Sequence, residues 1–148
     1  MKKWLMIIGL MASSTVFATV VGGPKGGKLL QNEAPRAEFF INAERKVEVR
    51  FYDDALAVVA PAEQAVTIVA NAHSGKKKLE LQKAGDALVS SEALPEGDGY
   101  LIVVQITAAP GGKPQNFRIP YHAEICGECN RAEYACTCEH SGEDDHGH

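Results

Sequence analysis

The sequence predicts an all-β fold, an antiparallel β-sandwich of six or seven strands with a short cysteine-rich tail at its C-terminal end. Three observations support this prediction. Short segments alternate apolar and polar residues with a period of two, which is the pattern of strands that bury one face. Turn-forming residues separate these segments at intervals of roughly 8 to 12 residues. No stretch of the 148 residues shows three turns of helical periodicity.

The first half of the pattern, residues 36–72, contains three such segments and one short additional segment. In the clearest of them, Val47, Val49 and Phe51 fall on one face of an extended chain, so we expect that face to be buried. The segments are 36–42, 46–54, 56–61, which Pro61 closes, and 63–72, in which Val66, Ile68 and Ala70 share a face.

The second half, residues 73–124, contains four more segments and ends the domain. The sequence predicts a turn over 73–78 and a hairpin turn over 83–86, with Gly85 at its tip. The segments are 78–82 with Leu79 and Leu81 inward, 87–94, 100–109 with Ile102, Val104 and Ile106 opposite Leu101, Val103 and Gln105, and 116–124.

Tyr100 follows a glycine-rich turn and heads the longest predicted strand. A tyrosine at such a position can bond back to the backbone of the preceding turn and close a corner of an immunoglobulin-like sandwich. We therefore expect residues 36–123 to form one immunoglobulin-like (Ig-like) β-sandwich domain.

Residues 1–18 have the three-part layout of a secretory signal peptide. Two lysines precede an apolar run of eight residues, and small residues lead to a cleavage site after Ala18. The run is too short to span a bilayer, which needs about 20 apolar residues. We expect a mature chain that begins near Thr19, is exported to the periplasm or outside the cell, and has no membrane span. Residues 19–35 are rich in glycine and proline, which predicts a flexible lead-in.

Charge is distributed unevenly along the chain. Residues 19–123 contain twelve acids and twelve bases, whereas residues 124–148 contain seven acids and one base, a formal charge of −6. A neutral body lacks the basic stripe that attracts nucleic acid, so we expect no nucleic-acid partner. An acidic tail favours cations, although the same charge can also act only to keep the protein soluble.

All four cysteines lie in the tail, as Cys126, Cys129, Cys136 and Cys138, with His140 directly after them. Four thiolates can hold one zinc or Cu(I) ion in a tetrahedron, and His140 can replace one sulfur. The close Cys136–Cys138 spacing is unusual for a structural zinc site. His146 and His148, interleaved with carboxylates, form a further chelating tract. The sequence therefore predicts an acidic, metal-binding tail over 124–148.

Two other interpretations of the cysteines remain open at this stage. An exported chain can form disulfides, and the crossed pairings of Cys126 and Cys129 with Cys136 and Cys138 are feasible. A bond within Cys136–Cys138 would be strained. A redox-active pair is the other alternative, because Cys126 and Cys129 have the Cys-x-x-Cys spacing of thiol–disulfide enzymes. Such pairs open a helix in a βαβ unit, and the sequence predicts none.

The stretch from Leu94 to Ile119 contains "LPEGDGYLIVVQI" and "PGGKPQNFRI". It resembles the last hairpin of exported β-sandwich proteins of the periplasmic copper-resistance (CopC-like) and YtkA-like groups. The resemblance implies their fold and a role near metal handling. This chain departs from the family's copper site, because Lys113 stands where a ligand histidine is expected and the mature chain would begin with Thr19 instead of histidine.

These observations predict a non-enzymatic exported protein that binds zinc, or alternatively Cu(I), through the tail. No Ser/His/Asp arrangement, phosphate-binding loop or carboxylate pair indicates an enzyme. His73 and His122 are expected to be surface or packing residues. The competing hypotheses are an envelope interaction module with a disulfide-stapled tail, which would have an envelope protein as partner and no cofactor, and a thiol–disulfide redox protein.

Overall fold

The structure is a computed structural model that describes residues 21–31 and 33–138. The strands in this part of the chain form two antiparallel sheets, which confirms the predicted all-β sandwich. The strands are β1 Lys28–Leu29, β2 Arg36–Ile41, β3 Lys46–Tyr52, β4 Val58–Val59, β5 Ala65–Ala72, β6 Gly75–Leu79, β7 Leu81–Ala84, β8 Ala87–Ala93, β9 Tyr100–Thr107 and β10 Gln115–Tyr121. The first sheet has the order β1-β2-β3-β8-β7, with β4 paired to β3, and the second has the order β10-β9-β5-β6.

The described residues thus contain more strands than the six or seven that the sequence predicts, for two reasons. β1 and β4 are only two residues long, too short to show a period of two. The predicted strand 78–82 is divided at Glu80, and its two parts belong to different sheets. The predicted turn 73–78 is also shorter, because Gly75 has a positive φ of 121° and already begins β6 after a two-residue loop.

The core consists of the faces that the alternation predicts. Along β9, each second residue from Tyr100 to Ile106 is buried. Along β3, Val47, Val49 and Phe51 are fully buried. Because side chains of a strand alternate between the two faces, each sheet contributes one apolar face and the two faces meet in a single core.

Tyr100 closes the corner that the sequence predicts. Its hydroxyl donates a hydrogen bond of 2.9 Å to the carbonyl oxygen of Pro95, in the turn before β9. Arg45 Nη2 donates to the same carbonyl. The backbone of the turn is therefore fixed to the start of the central strand of the second sheet, as in other Ig-like sandwiches.

The segment before β2, predicted as a flexible lead-in, is tied to the sandwich where the structure describes it. β1 pairs with β2, and a glycine-rich turn before β1 lies over Glu38. The Glu38 carboxylate is buried and accepts hydrogen bonds from Gly27 N at 2.8 Å, Lys25 N at 3.0 Å and the Tyr52 hydroxyl at 2.5 Å. A Cβ on Gly23 would overlap this carboxylate, so the close approach requires glycine.

The only helical element of the described residues is η1, a single 3₁₀ turn over Glu133–Ala135. It follows β10 and lies against β10 and β1. No helix in this part of the chain has the length and apolar character needed to cross a membrane.

We predict that Glu38→Ala lowers the free energy of unfolding by about 3 kcal/mol, because it leaves buried donors without their charged acceptor. Urea denaturation followed by tyrosine fluorescence measures this loss. Glu44→Ala is the matched control, since the Glu44 side chain is largely exposed and its removal should change stability by less than about 0.5 kcal/mol. Equal midpoints for the two variants would contradict the structural role of Glu38.

Candidate metal centre

The cysteines lie in a short loop after β10, residues 124–138, which we call the cysteine loop. Its first half is a tight turn. Cys126 N donates to the carbonyl oxygen of Arg131 at 2.8 Å, and Asn130 N donates to that of Cys126 at 3.0 Å. Asn130 has a φ of 56°, and asparagine is one of the few residues that readily adopts this left-handed conformation. This turn brings Cys126 and Cys129 to the same side.

The second half of the loop returns the chain beside the first. Ile125 and Ala132 form an isolated antiparallel bridge, and Glu133 N donates to the carbonyl oxygen of Glu124 at 2.8 Å. The 3₁₀ turn η1 follows and closes with Cys136 N donating to the Glu133 carbonyl oxygen at 3.1 Å. These backbone hydrogen bonds bring the second cysteine pair opposite the first.

Tyr134 anchors the cysteine loop in the core of the sandwich. Its ring is buried, makes an edge-to-face contact with Phe39 at 5.8 Å between centroids, and lies 6.4 Å from the ring of Tyr121. Its hydroxyl accepts a hydrogen bond of 2.9 Å from Ile41 N. The cysteines follow the last strand, as predicted, but their loop is part of the folded body through this side chain.

Arg131 makes a second link between the cysteine loop and the body. Its Nη1 atom lies 3.4 Å from the carbonyl oxygens of both Gly23 and Gly27. These glycines belong to the turn that covers Glu38. A Cβ on Gly22 would overlap the guanidinium, so the glycine-rich segment provides the space that Arg131 occupies.

The four sulfurs form one compact cluster. All of them lie within 4.8 Å of one another. Cys126 Sγ is 3.8 Å from Cys138 Sγ, and Cys129 Sγ is 3.6 Å from Cys136 Sγ. Four sulfurs at 2.3 Å from a central zinc ion in a tetrahedron would be about 3.8 Å apart, whereas a disulfide needs about 2.05 Å. None of the four is in a disulfide, and the cluster could hold a metal ion.

Backbone N–H groups around the sulfurs favour the thiolate form at one position. Hydrogen bonds from the backbone of Thr137 and Arg131 lower the pKa of the Cys129 thiol to about 6. Loss of hydration and the neighbouring sulfurs raise the pKa of Cys138. Because like charges repel, a cluster of thiols ionises stepwise, and a divalent cation can replace the remaining protons.

The structure brings together four of the five predicted ligands, and the fifth, His140, lies outside the described residues, as do the signal peptide and Thr19. His73 and His122 are exposed, as predicted. His122 Nδ1 lies 3.1 Å from a carboxylate oxygen of Asp98. Together with a hydrogen bond from Ala123 N, His122 lowers the pKa of Asp98.

Sequence reasoning missed the residues that position the cluster, above all Tyr134 and Arg131. Both lie in the six-residue spacer between the cysteine pairs, which the sequence indicates only as a loop long enough to fold back. Tyr134 is the one aromatic residue of the spacer, and it is the one signal that could have indicated burial.

Comparison with protein-family models, with curated proteins and with solved structures finds no match to this chain. The resemblance of residues 94–119 to the CopC-like and YtkA-like groups therefore stays a prediction. The geometry of the four sulfurs in this chain is what supports a metal centre.

We predict that Tyr134→Phe lowers the free energy of unfolding by about 1–3 kcal/mol, because it leaves the Ile41 N–H without its acceptor. Tyr100→Phe is the matched control and should cost less, since the Pro95 carbonyl keeps its bond from Arg45. Urea denaturation gives both values, and faster hydrogen exchange of the Ile41 amide should appear only in Tyr134→Phe. Unchanged exchange at Ile41 would contradict the anchor.

Proposed function

We propose that this chain is an exported, non-enzymatic β-sandwich protein that binds one zinc ion through Cys126, Cys129, Cys136 and Cys138. The observation that carries the proposal is the sulfur cluster, with its pairs at 3.6 and 3.8 Å close to the edge of a zinc tetrahedron. Cu(I) is the alternative ion, because it also prefers thiolates. The role we infer is metal handling, either storage or delivery.

A binding role fits the cysteine loop better than thiol–disulfide catalysis. In thiol–disulfide enzymes the Cys-x-x-Cys pair opens a helix, whose N-terminus favours the thiolate. Here residues 127–129 form a turn, and η1 begins only at Glu133. The four sulfurs also lie close enough to act together, whereas a redox pair needs only two.

Export is supported by the layout of residues 1–18. An apolar run after two lysines and before small residues is the pattern of a cleaved signal. A thiolate site in an oxidising compartment is exposed to disulfide formation, and a bound metal ion slows that reaction because it occupies the thiolates. An envelope protein that gives or receives the ion is the partner we expect.

We predict that the chain isolated without chelator contains one equivalent of zinc and four thiols, which react more slowly while zinc is bound than after chelation or denaturation. Elemental analysis and thiol titration on one sample measure both. A sample without metal and without thiols would indicate two disulfides, and it would overturn the proposal if the chain still bound no zinc after reduction.

Substitution of single ligands provides a sharper test. Cys126→Ser and Cys138→Ser should each weaken zinc binding by more than about 100-fold, because even loss of a second-shell contact costs 10–100-fold. The sandwich should stay folded by circular dichroism, since neither cysteine belongs to the hydrophobic core cluster. His122→Ala is the control and should bind zinc normally. His140→Ala tests the fifth predicted ligand, and weaker binding would show that His140 takes the place of one sulfur.

The proposed export can be tested by cell fractionation and N-terminal sequencing. The full chain produced in a bacterial host should appear in the periplasmic fraction with Thr19 as its first residue by N-terminal sequencing. A version that lacks residues 2–18 should remain in the cytoplasm. Recovery of the full chain in the cytoplasm with an intact N-terminus would contradict the prediction.

A further inference from the structure

The packing of the cysteine loop holds its four sulfurs together by protein contacts. The Ile125–Ala132 bridge joins the two halves of the loop. Tyr134 fixes the second half in the core, and Arg131 ties the loop to the glycine-rich turn before β1. In isolated zinc fingers the metal supplies this organisation. Here the anchors supply much of it, so the sulfurs should remain neighbours when no ion joins them.

The spacing along the chain limits which sulfurs can pair. A disulfide between Cys126 and Cys129 would leave Cys136 to pair with Cys138, two residues away, in a strained ring. Two unstrained disulfides therefore require that each bond join one cysteine of the first pair, Cys126 or Cys129, to one cysteine of the second. All four sulfurs lie within 4.8 Å of one another. Cys126 Sγ is 3.8 Å from Cys138 Sγ and Cys129 Sγ is 3.6 Å from Cys136 Sγ, which favours the arrangement in which the shorter loop is nested within the longer one.

We propose that the cluster is also a redox site, at which a disulfide oxidant converts the four thiolates into nested Cys126–Cys138 and Cys129–Cys136 disulfides and so releases the metal ion. The inference rests on the proposed metal binding. It makes the metal-bound and disulfide-bonded forms two alternating states of one cluster, with a low-molecular-weight or protein disulfide as the reactant.

The chemistry balances with two equivalents of oxidant. In each pair, one cysteine thiolate attacks a sulfur of the oxidant, forms a mixed disulfide and expels one thiolate. The second cysteine then attacks the protein sulfur of that mixed disulfide and expels the other thiolate. Each cysteine pair gives two electrons to its oxidant. The distance between the two sulfurs of the pair falls to about 2.05 Å. No protein thiolate remains to bind the zinc ion. The ion is therefore released, together with the four thiolates that the two oxidant molecules have become.

Intramolecular closure should dominate because the cysteines are held close. Groups joined by a short tether have effective concentrations in the millimolar range. At about 10 µM protein, closure within the loop should therefore exceed crosslinking between molecules by roughly 100-fold. Tyr134→Ala removes the anchor and should raise the share of disulfide-linked dimers.

The test uses the full chain as isolated with zinc bound, treated with glutathione disulfide. We expect release of one equivalent of zinc to a colorimetric indicator, in step with the loss of four thiols. Mass spectrometry of unreduced peptides should then show Cys126–Cys138 and Cys129–Cys136. Zinc that stays bound while excess oxidant is present, a Cys126–Cys129 bond, or a product that is mainly dimeric would each overturn the inference.

Paired double variants, compared without metal, separate the pairing from general thiol reactivity. Cys126→Ser/Cys138→Ser keeps the aligned inner pair and should form an intramolecular disulfide with glutathione disulfide. Cys126→Ser/Cys129→Ser keeps only Cys136 and Cys138 and should give mixed disulfides with glutathione. Equal intramolecular closure in both variants would overturn the proposed connectivity.

The two proposals can fail separately. Zinc content of the reduced chain tests metal binding before any oxidant is added, and a reduced chain that binds no zinc overturns the proposed function. A chain that binds zinc but forms other disulfides, or none, overturns only the redox inference.

Discussion

The insertion of Tyr134 into the sandwich core is the contact on which the candidate site depends. A loop of fifteen residues has no core of its own, so its conformation must be fixed by something else. Tyr134 gives it a share of the larger core, in an edge-to-face contact with Phe39 and beside Tyr121. Its hydroxyl is satisfied by Ile41 N, which avoids the cost of burying an unpaired polar group. The sandwich therefore fixes the position of the sulfurs through Tyr134.

A chain of polar contacts extends this constraint to the other side of the loop. Tyr52 and the glycine-rich turn donate to the buried Glu38 carboxylate, and the carbonyls of the same turn face Arg131. A buried carboxylate is costly unless several donors surround it. Because those donors come from the turn, satisfying Glu38 also orders the surface that Arg131 contacts. One buried charge thus helps to position a loop that it does not touch.

The sequence predicts the sandwich well because its signal is local. Alternation over β3 and β9 identifies the buried faces, Gly85 identifies a hairpin, and the position of Tyr100 predicts the corner bond to Pro95. It also identifies the four cysteines and their plausible metal chemistry. The division of 78–82 between two sheets is not visible, because an alternating pattern looks the same on either side of a crossing at Glu80.

The supports of the site are harder to predict from sequence, since each joins segments far apart in the chain. Arg131 contacts Gly23 across 108 residues, and Tyr134 contacts Ile41 across 93. Such contacts depend on how β1, β2 and β10 are arranged, and no short motif records that arrangement. A short spacer between cysteines is expected to be a loop, and only the three-dimensional fold shows that two of its residues, Tyr134 and Ala135, belong to the core.

The short spacing between the cysteines limits what disulfides could add to the stability of the fold. A disulfide stabilises a fold mainly by restricting the unfolded chain, and the effect is smaller for short loops. The pairs here span only eight and thirteen residues, and the folded loop already has anchors in Tyr134 and Arg131. Disulfides that close such short loops therefore stabilise the fold less than disulfides that close long ones. Four sulfurs held within 4.8 Å could hold a metal ion, and their support is tied to the sandwich by Tyr134 and Arg131.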